Sequence, residues 1–406
     1  MLSLGETPIC DSIPELRENA MNDATNITRD AHAQGLRAYG EAGRTREQAI
    51  GNRGPLLLGE DGKLDPEILS RFREQGYYIF EGVIDPDEIA ELRADALEMI
   101  HRAPVSPDAK VDAQGRPALG LDYPRIPYRL AKPLADPWGG TEILGGRHPT
   151  QMAQPTPDAD APEYVVFLMY SMCRSMPSGL RLYGHPGLLG VAGSINGDDF
   201  VPFNDAIFVK QPGLGGSVSW HQDGVTHWGS PDWDPGIHGF NFQVQLFPST
   251  LGNCLWVVPG SHALGKIDIK ALVAENGGSE RLPDAVPLVC EAGDVTIVNR
   301  QMLHGSFANS SPDMRISLTF GFHRRSSVLG AQAALAMEGD NVHYDERRIF
   351  ERSAVIQVAI DARHQERPDE PRFKYRPFKG LEEEFRFNDA SFDSVIKDYF
   401  IKDLAI

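Results

Sequence analysis

The sequence predicts a mainly β fold with flanking helices, of the sandwich or jelly-roll kind. Three observations carry this. From Phe200 to Phe322 short strand-like runs alternate with turn signals at Gly213-Leu214-Gly215-Gly216, Pro259-Gly260 and Ala292-Gly293-Asp294. Helical periodicity lies on either side of that stretch. Within it, Arg315, Ser317 and Thr319 alternate with Ile316, Leu318 and Phe320, which puts polar and apolar side chains on opposite faces of one strand.

The elements follow in order. Residues 1–54 are polar, with a weak helical pattern from Ile13 to Ile50, and read as a loosely packed extension. In "LDPEILSRFREQGYYIF", Asp65 caps a helix, Pro66 fits its first turn, Ile68, Leu69 and Phe72 form its apolar face, and Gly76 ends it. Tyr77–Phe80 is a strand. A second helix opens at Asp85-Pro86 with Glu88 placed for a capping box, and Ile89, Leu92, Ala96, Met99 and Ile100 repeat at helical spacing. Residues 103–160, rich in proline, glycine and aspartate, form a long irregular segment, and Glu163–Met176 reads as a buried helix. Strands are expected at Ala206–Lys210, Ser217–Gln222, Gly239–Phe247, Cys254–Val258, Val286–Cys290, Val295–Asn299 and Ile316–Phe322. Helix returns over Asp345–Arg363, and the tail "FDSVIKDYFIKDLAI" suits a final amphipathic helix. The chain thus divides into a polar extension (1–60), a central domain with a helical N-terminal part (61–330) and a helical C-terminal extension (331–406).

The 406 residues allow two average domains or one elaborated one. With 41 % apolar residues a substantial core forms, and a formal net charge of −18 speaks against nucleic acid or an anionic membrane as partner. No apolar run approaches the ~20 residues that span a bilayer. Residues 1–54 lack a signal-peptide pattern, and Cys10, Cys173, Cys254 and Cys290 form no CxxC pair. A cytoplasmic enzyme acting on a small molecule is expected.

The chemistry concentrates in "SVSWHQDGVTHWG", Ser217–Gly229. His221 and Asp223 are two apart at a strand end, so both side chains point one way and offer an imidazole and a carboxylate to one ion. His304, after the turn and strand of "GDVTIVNRQML", is the best third ligand. Two histidines and one carboxylate with the remaining positions open are the usual site of non-haem Fe(II) oxygenases. An inward Arg315 beside a metal is a costly charge unless a carboxylate meets it through paired hydrogen bonds. A diacid that chelates iron at one end and meets Arg315 and Ser317 at the other answers this, and 2-oxoglutarate is such a diacid.

These stretches resemble the phytanoyl-CoA dioxygenase family of iron(II)/2-oxoglutarate oxygenases. "WHQDG", "LWVVPGSH", "GDVTIVNRQMLHGS" and "NSSPDMRIS" follow its motifs in order, and "FREQGYYIFEGVI" looks like its N-terminal signature. The resemblance covers about residues 64–323. It implies a double-stranded β-helix (jelly-roll, cupin-like) core with flanking helices. It makes His221, Asp223 and His304 the iron ligands and Arg315 the anchor of the distal carboxylate of 2-oxoglutarate, with dioxygen as the other cosubstrate. Relatives that halogenate replace the carboxylate ligand by a small residue, so Asp223 points to hydroxylation. The run "QVQLFPST" departs from the family's more acidic stretch, and Gln243 contacts the cosubstrate or serves the sheet. Lys210 matches a recurrent family lysine that meets an anion or sits at the sheet rim, and His262 reads as structural.

The substrate is not readable from the sequence. Two segments are expected to roof the iron: Val225–Gly239, with His227, Trp228, Trp233 and His238, and Leu121–Thr150, with Tyr128. Their aromatic content favours a bulky or apolar molecule, and no cluster of Lys and Arg stands out to bind a polyanion. A metal-dependent cupin-like enzyme without 2-oxoglutarate, which gives Arg315 no role, and a non-catalytic metabolite sensor are the alternatives.

Overall fold

A computed structural model describes residues 27–223, 239–334 and 341–402. Its strands are β1 (Arg53–Pro55), β2 (Tyr77–Glu81), β3 (Tyr128–Ala131), β4 (Val165–Tyr170), β5 (Val201–Lys210), β6 (Val218–His221), β7 (Gly239–Gln245), β8 (Leu255–Val257), β9 (Val286–Leu288), β10 (Val295–Asn299), β11 (His304–Ser306) and β12 (Arg315–His323). All the strands expected between Phe200 and Phe322 are present. They form an eight-stranded sheet, in the order β1-β2-β10-β7-β12-β5-β4-β3, and a four-stranded sheet, β6-β11-β8-β9. Within these two sheets β1 runs parallel to β2 and the other paired strands are antiparallel. This is the jelly-roll architecture of a double-stranded β-helix.

The large sheet has two unlike faces. Opposed residues of antiparallel strands share a face, so Ile316, Leu318 and Phe320 of β12 lie with Val209, Ile207, Val244 and Phe242. These are buried in the main core. The opposite face carries Arg315, Ser317 and Thr319 beside Lys210, Gln245 and Gln243. Asn241 on that face reaches Asp223 of the small sheet, so the polar face is the one turned inward. A jelly roll that kept only hydrocarbon inside would carry the reverse pattern.

Helices pack outside the sheets. α1 (Arg29–Ile50) joins a second apolar cluster with Trp220 and Trp256 of the small sheet, and α6 (Ile269–Glu275) joins it too. α2 (Pro66–Gln75), α3 (Pro86–His101), α4 (Pro177–Tyr183), α5 (Pro186–Asn196) and α7 (Glu346–Glu366) bury side chains in the main core. Asp65 caps α2 through the amides of Glu67 and Ile68, and Gly76 closes it in the left-handed region at φ 80°. Asp345 caps α7 in the same way. None of the described helices is long and apolar enough to cross a membrane. Cys173, Cys254 and Cys290 are buried free thiols.

The structure corrects several expectations. Glu163–Met176 is not one helix: Val165–Tyr170 is β4, buried along its whole length, followed by a single helical turn at Met172–Ser175. A strand covered on both faces shows no alternation, so its apolar run is easily taken for buried helix. Residues 29–50 are not loosely packed. Leu36 is buried, Tyr39 stacks on Trp256 with ring centroids 4.4 Å apart, and its hydroxyl donates to the Leu282 carbonyl. Glu88 does not close a capping box. Asp85 accepts from the Glu88 amide, while the Glu88 carboxylate turns inward to a two-pronged pair with Arg363 of α7, at 2.6 and 3.0 Å. The tail is a five-residue π-helical turn (Phe392–Ile396) and a 3-10 turn (Tyr399–Lys402) rather than an amphipathic helix. Tyr399 and Phe400 are buried in the main core together with Val355, Ile356 and Val358 of α7.

Candidate metal centre

The centre is built where β6 and β11 pair. His221 lies directly opposite His304 in the ladder, and the register shifts at a bulge before Ser306. Gly305 makes this approach possible: a Cβ there would stand 3.0 Å from the Val218 carbonyl oxygen. The two imidazole rings lie 4.0 Å apart. Asp223 follows β6 and is pinned by its own amide, which donates to the Arg300 carbonyl at 2.7 Å. Gln222, between the two ligands, points away. Its amide nitrogen donates to the Gln301 and Gly265 carbonyls and its oxygen accepts from Ile267, so it fixes the turn.

The donor set fits a divalent ion. One ligand atom from each of His221, Asp223 and His304 lies within 4.8 Å of the others. His221 Nδ1 faces the Ser219 carbonyl at 2.9 Å and His304 Nδ1 faces the Met302 carbonyl at 2.8 Å. Each ring therefore carries its proton on Nδ1 and turns the Nε2 lone pair to Asp223, at 3.8 and 3.9 Å from its two oxygens. Burial holds both imidazoles below their ordinary pKa, His221 far below it. Burial alone would raise the Asp223 carboxyl, but the Arg147 and Arg300 guanidiniums outweigh it and keep its pKa below the usual value. Two neutral imidazoles and a carboxylate are the protonation states that a metal needs.

Across the interior stands Arg315, 2 % exposed. Its Nη2 donates to Gln243 Oε1 at 2.6 Å and to Ser317 Oγ at 3.4 Å, and its Nη1 donates to the Asn253 carbonyl at 3.2 Å. Its Nε has no partner, and among the described residues no carboxylate meets it. Desolvation lowers its pKa to about 10. Gln245 Oε1 and Thr296 Oγ1, on the same face, are buried without partners. The guanidinium of Arg315 and the Thr296 hydroxyl are donors that fit carboxylate oxygens, and 2-oxoglutarate suits them.

The remaining expected residues divide. Gln243 does lie beside Arg315. Lys210 is not at a rim: it is buried cross-strand from Arg315, and its ammonium donates to the Gly216 and Phe307 carbonyls at 2.5 and 2.7 Å. His262 is structural, with Nε2 against the Arg73 carbonyl. Tyr128 is opposite Met169, which is opposite Ile207, so it shares the outer, helix-covered face. The inward residue of β3 is its neighbour Arg129. His227, Trp228, Trp233 and His238 lie outside the described residues.

Sequence reasoning missed three neighbours of the centre. Arg147 donates from Nη1 to Asp223 Oδ1 at 2.9 Å, and Asn241 donates to Asp223 Oδ2 at 3.2 Å. His148, fully buried, stacks on His221 at 4.1 Å and sets Nδ1 toward the Ser219 carbonyl. Arg147 and His148 come from the irregular segment, so that segment does reach the centre. The only signal that could have found them was its length.

A jelly roll that joins a His-x-Asp…His cluster to an inward arginine defines a non-haem metal oxygenase. The model of the family described as phytanoyl-CoA dioxygenase (PhyH) matches residues 72–317, more than half of the chain. The chain belongs to the phytanoyl-CoA dioxygenase family, and it is an Fe(II)/2-oxoglutarate-dependent dioxygenase. It is 26 % identical over 271 residues to a phytanoyl-CoA dioxygenase of Arabidopsis thaliana, covering 64 % of this chain and 88 % of that one. It is 23 % identical over 299 residues to the ectoine dioxygenase of Halomonas elongata, covering 68 % and 76 %. Among solved structures it is similar to EctD from S. alaskensis with 2-oxoglutarate and 5-hydroxyectoine, at 20 % identity and TM-score 0.45, covering 68 % and 81 %.

Proposed function

We propose that the protein hydroxylates a small organic molecule while 2-oxoglutarate is converted to succinate and carbon dioxide. His221, Asp223 and His304 hold the iron. Arg315, flanked by Ser317 and Gln243, receives the distal carboxylate of 2-oxoglutarate. Bound iron supplies the place where 2-oxoglutarate and dioxygen react and the oxidising power that reaches the substrate. The chain's own part is to bind, orient and exclude water. The carboxylate at Asp223 favours hydroxylation over halogenation.

One observation carries this reading: a buried guanidinium without a carboxylate, on the sheet facing a ready set of metal donors. A metal enzyme without 2-oxoglutarate would leave that charge buried to no purpose, at a cost of several kcal/mol. Lys210 supports the site from behind by holding Gly216 and Phe307 in place. His227, Trp228, Trp233 and His238, which follow Asp223 in the sequence, are proposed as substrate-binding residues. The net charge of −18 supports a small molecule over nucleic acid as partner, and the free buried thiols support a cytoplasmic setting.

The test is anaerobic titration of the metal-free protein with Fe(II) and then 2-oxoglutarate, followed by succinate measurement in air against a metabolite library. Tight uptake of both and succinate formation raised by particular metabolites are expected. Metal uptake without 2-oxoglutarate binding would refute the reading.

A further inference from the structure

The inner wall beside the metal ligands carries positive charge that iron and 2-oxoglutarate do not account for. From His221 the wall runs through the stacked His148 to Trp138, with ring centroids 5.2 Å apart, and then to Arg129, whose guanidinium lies 5.7 Å from the Trp138 ring. Burial raises the Tyr170 phenol, and the nearby charges of Arg129, Arg147 and Arg125 oppose that shift. The ladder puts Arg129 and Tyr170 on the inward face, since Arg129 is opposite Leu168 and Tyr170 is opposite Ala206, the partner of Thr319. Arg147 completes the wall from above. Its one described acidic partner is Asp223, and its Nε is buried without a partner.

That partnership changes character when a divalent ion is bound. Asp223 Oδ2 is held by Asn241 from a rigid strand, whereas Oδ1 is held by Arg147 from irregular chain. A dication on this carboxylate would repel the guanidinium that shares it. The two negative charges of 2-oxoglutarate are matched by the iron and Arg315, so they do not relieve Arg147.

We propose that the substrate carries an anionic group, a carboxylate or a phosphate, and that Arg147 receives that group next to the metal. The inference rests on the function proposed above and narrows its substrate class. It adds a charged group to the bulky or apolar molecule expected from the sequence, in which Arg125, Arg129 and Arg147 form no cluster. A guanidinium presents a planar fork that matches either anion.

The probes are short and aromatic carboxylic acids, each beside its own primary amide, and alkyl phosphates. Binding is measured by calorimetry under anaerobic conditions on protein loaded with Fe(II) and 2-oxoglutarate. At least one acid or phosphate should bind about tenfold or more tightly than its neutral counterpart, the usual range for a charge-assisted hydrogen bond. Arg147→Met should abolish that preference and Arg147→Lys should retain part of it, each measured on protein shown to be loaded with Fe(II) and 2-oxoglutarate. Whether acids or phosphates win identifies the anion. Equal binding of acids and amides by the wild type, or no binding of any anion while 2-oxoglutarate still binds, overturns the inference and leaves the function standing. A preference that survives in Arg147→Met also overturns it. Failure of the wild type to bind 2-oxoglutarate would remove the function and this inference together.

Discussion

Replacing Arg315 by leucine tests the cosubstrate site most directly. The side chain is 2 % exposed and donates to Gln243 and Ser317, and among the described residues no acid meets it. A carboxylate seated there gains a charge-assisted pair shielded from water. Truncating one member of such a pair costs about 2–5 kcal/mol. The 2-oxoglutarate dissociation constant should therefore rise between about thirtyfold and about five thousandfold. The fold should tolerate the change, since the variant also removes a buried charge and Gln243 Oε1 keeps the Gln245 side-chain amide as a donor. Arg315→Lys keeps the charge without the fork and should fall between the two. The assay is anaerobic titration of metal-loaded protein with 2-oxoglutarate, with Fe(II) affinity measured in parallel. Unchanged 2-oxoglutarate binding in Arg315→Leu, in protein that keeps its metal affinity, would refute the reasoning.

Three further outcomes are expected. Asp223→Ala should lose Fe(II) binding while its thermal midpoint stays near that of the wild type; metal titration checks the first and calorimetric melting the second. His32 is buried against Ser310 Oγ, and burial, with the nearby charges of Arg281 and Lys210, lowers its pKa to about 4. Its folded pKa is below the unfolded value, so the stability it contributes is complete above about pH 6.5 and drains away as pH falls towards 4, by about 3 kcal/mol at most. Urea melts across that range should show the slope, and His32→Asn should flatten it. Breaking the buried Glu88–Arg363 pair with Arg363→Met should cost about 3–5 kcal/mol, and adding Glu88→Leu should recover much of it. Denaturation of the single and double variants decides, and additive losses would contradict this.

The triad and Arg315 were legible because each depends on short-range periodicity. His221 and Asp223 share a strand end, and Arg315 shares a face with Ser317, so two-residue spacing alone orients them. The partners that tune the triad were not legible. Arg147 reaches Asp223 across 76 residues and Asn241 across 18, separations that no local periodicity spans. The N-terminal helix was misjudged for a different reason. It docks through glycines as well as large side chains: a Cβ on Gly43 would stand 2.9 Å from the Trp256 ring, and one on Gly40 would stand 2.9 Å from Leu251. A contact surface made by missing side chains leaves no hydrophobic stripe to read. Tyr128 was taken for a pocket residue because the sequence could not give the register of β3, on which the inward residue depends.

The burial of Tyr399 and Phe400 has a consequence for the birth of the protein. Tyr399 donates to the buried carboxylate of Asp205 in β5, Phe400 packs 5.4 Å from Tyr170 of β4, and Arg125 lies over the Phe400 ring. The strands that carry the inner wall are thus finished by residues made some two hundred positions later. While the ribosome still holds that stretch in its exit tunnel, β4 and β5 keep an apolar flank and a buried acid open to the cell. Vectorial synthesis builds the metal ligands early, but the large sheet closes only after translation has passed its last turn. A chain cut short before Tyr399 would have every ligand present and its flank exposed, a substrate for chaperones and proteases rather than an enzyme.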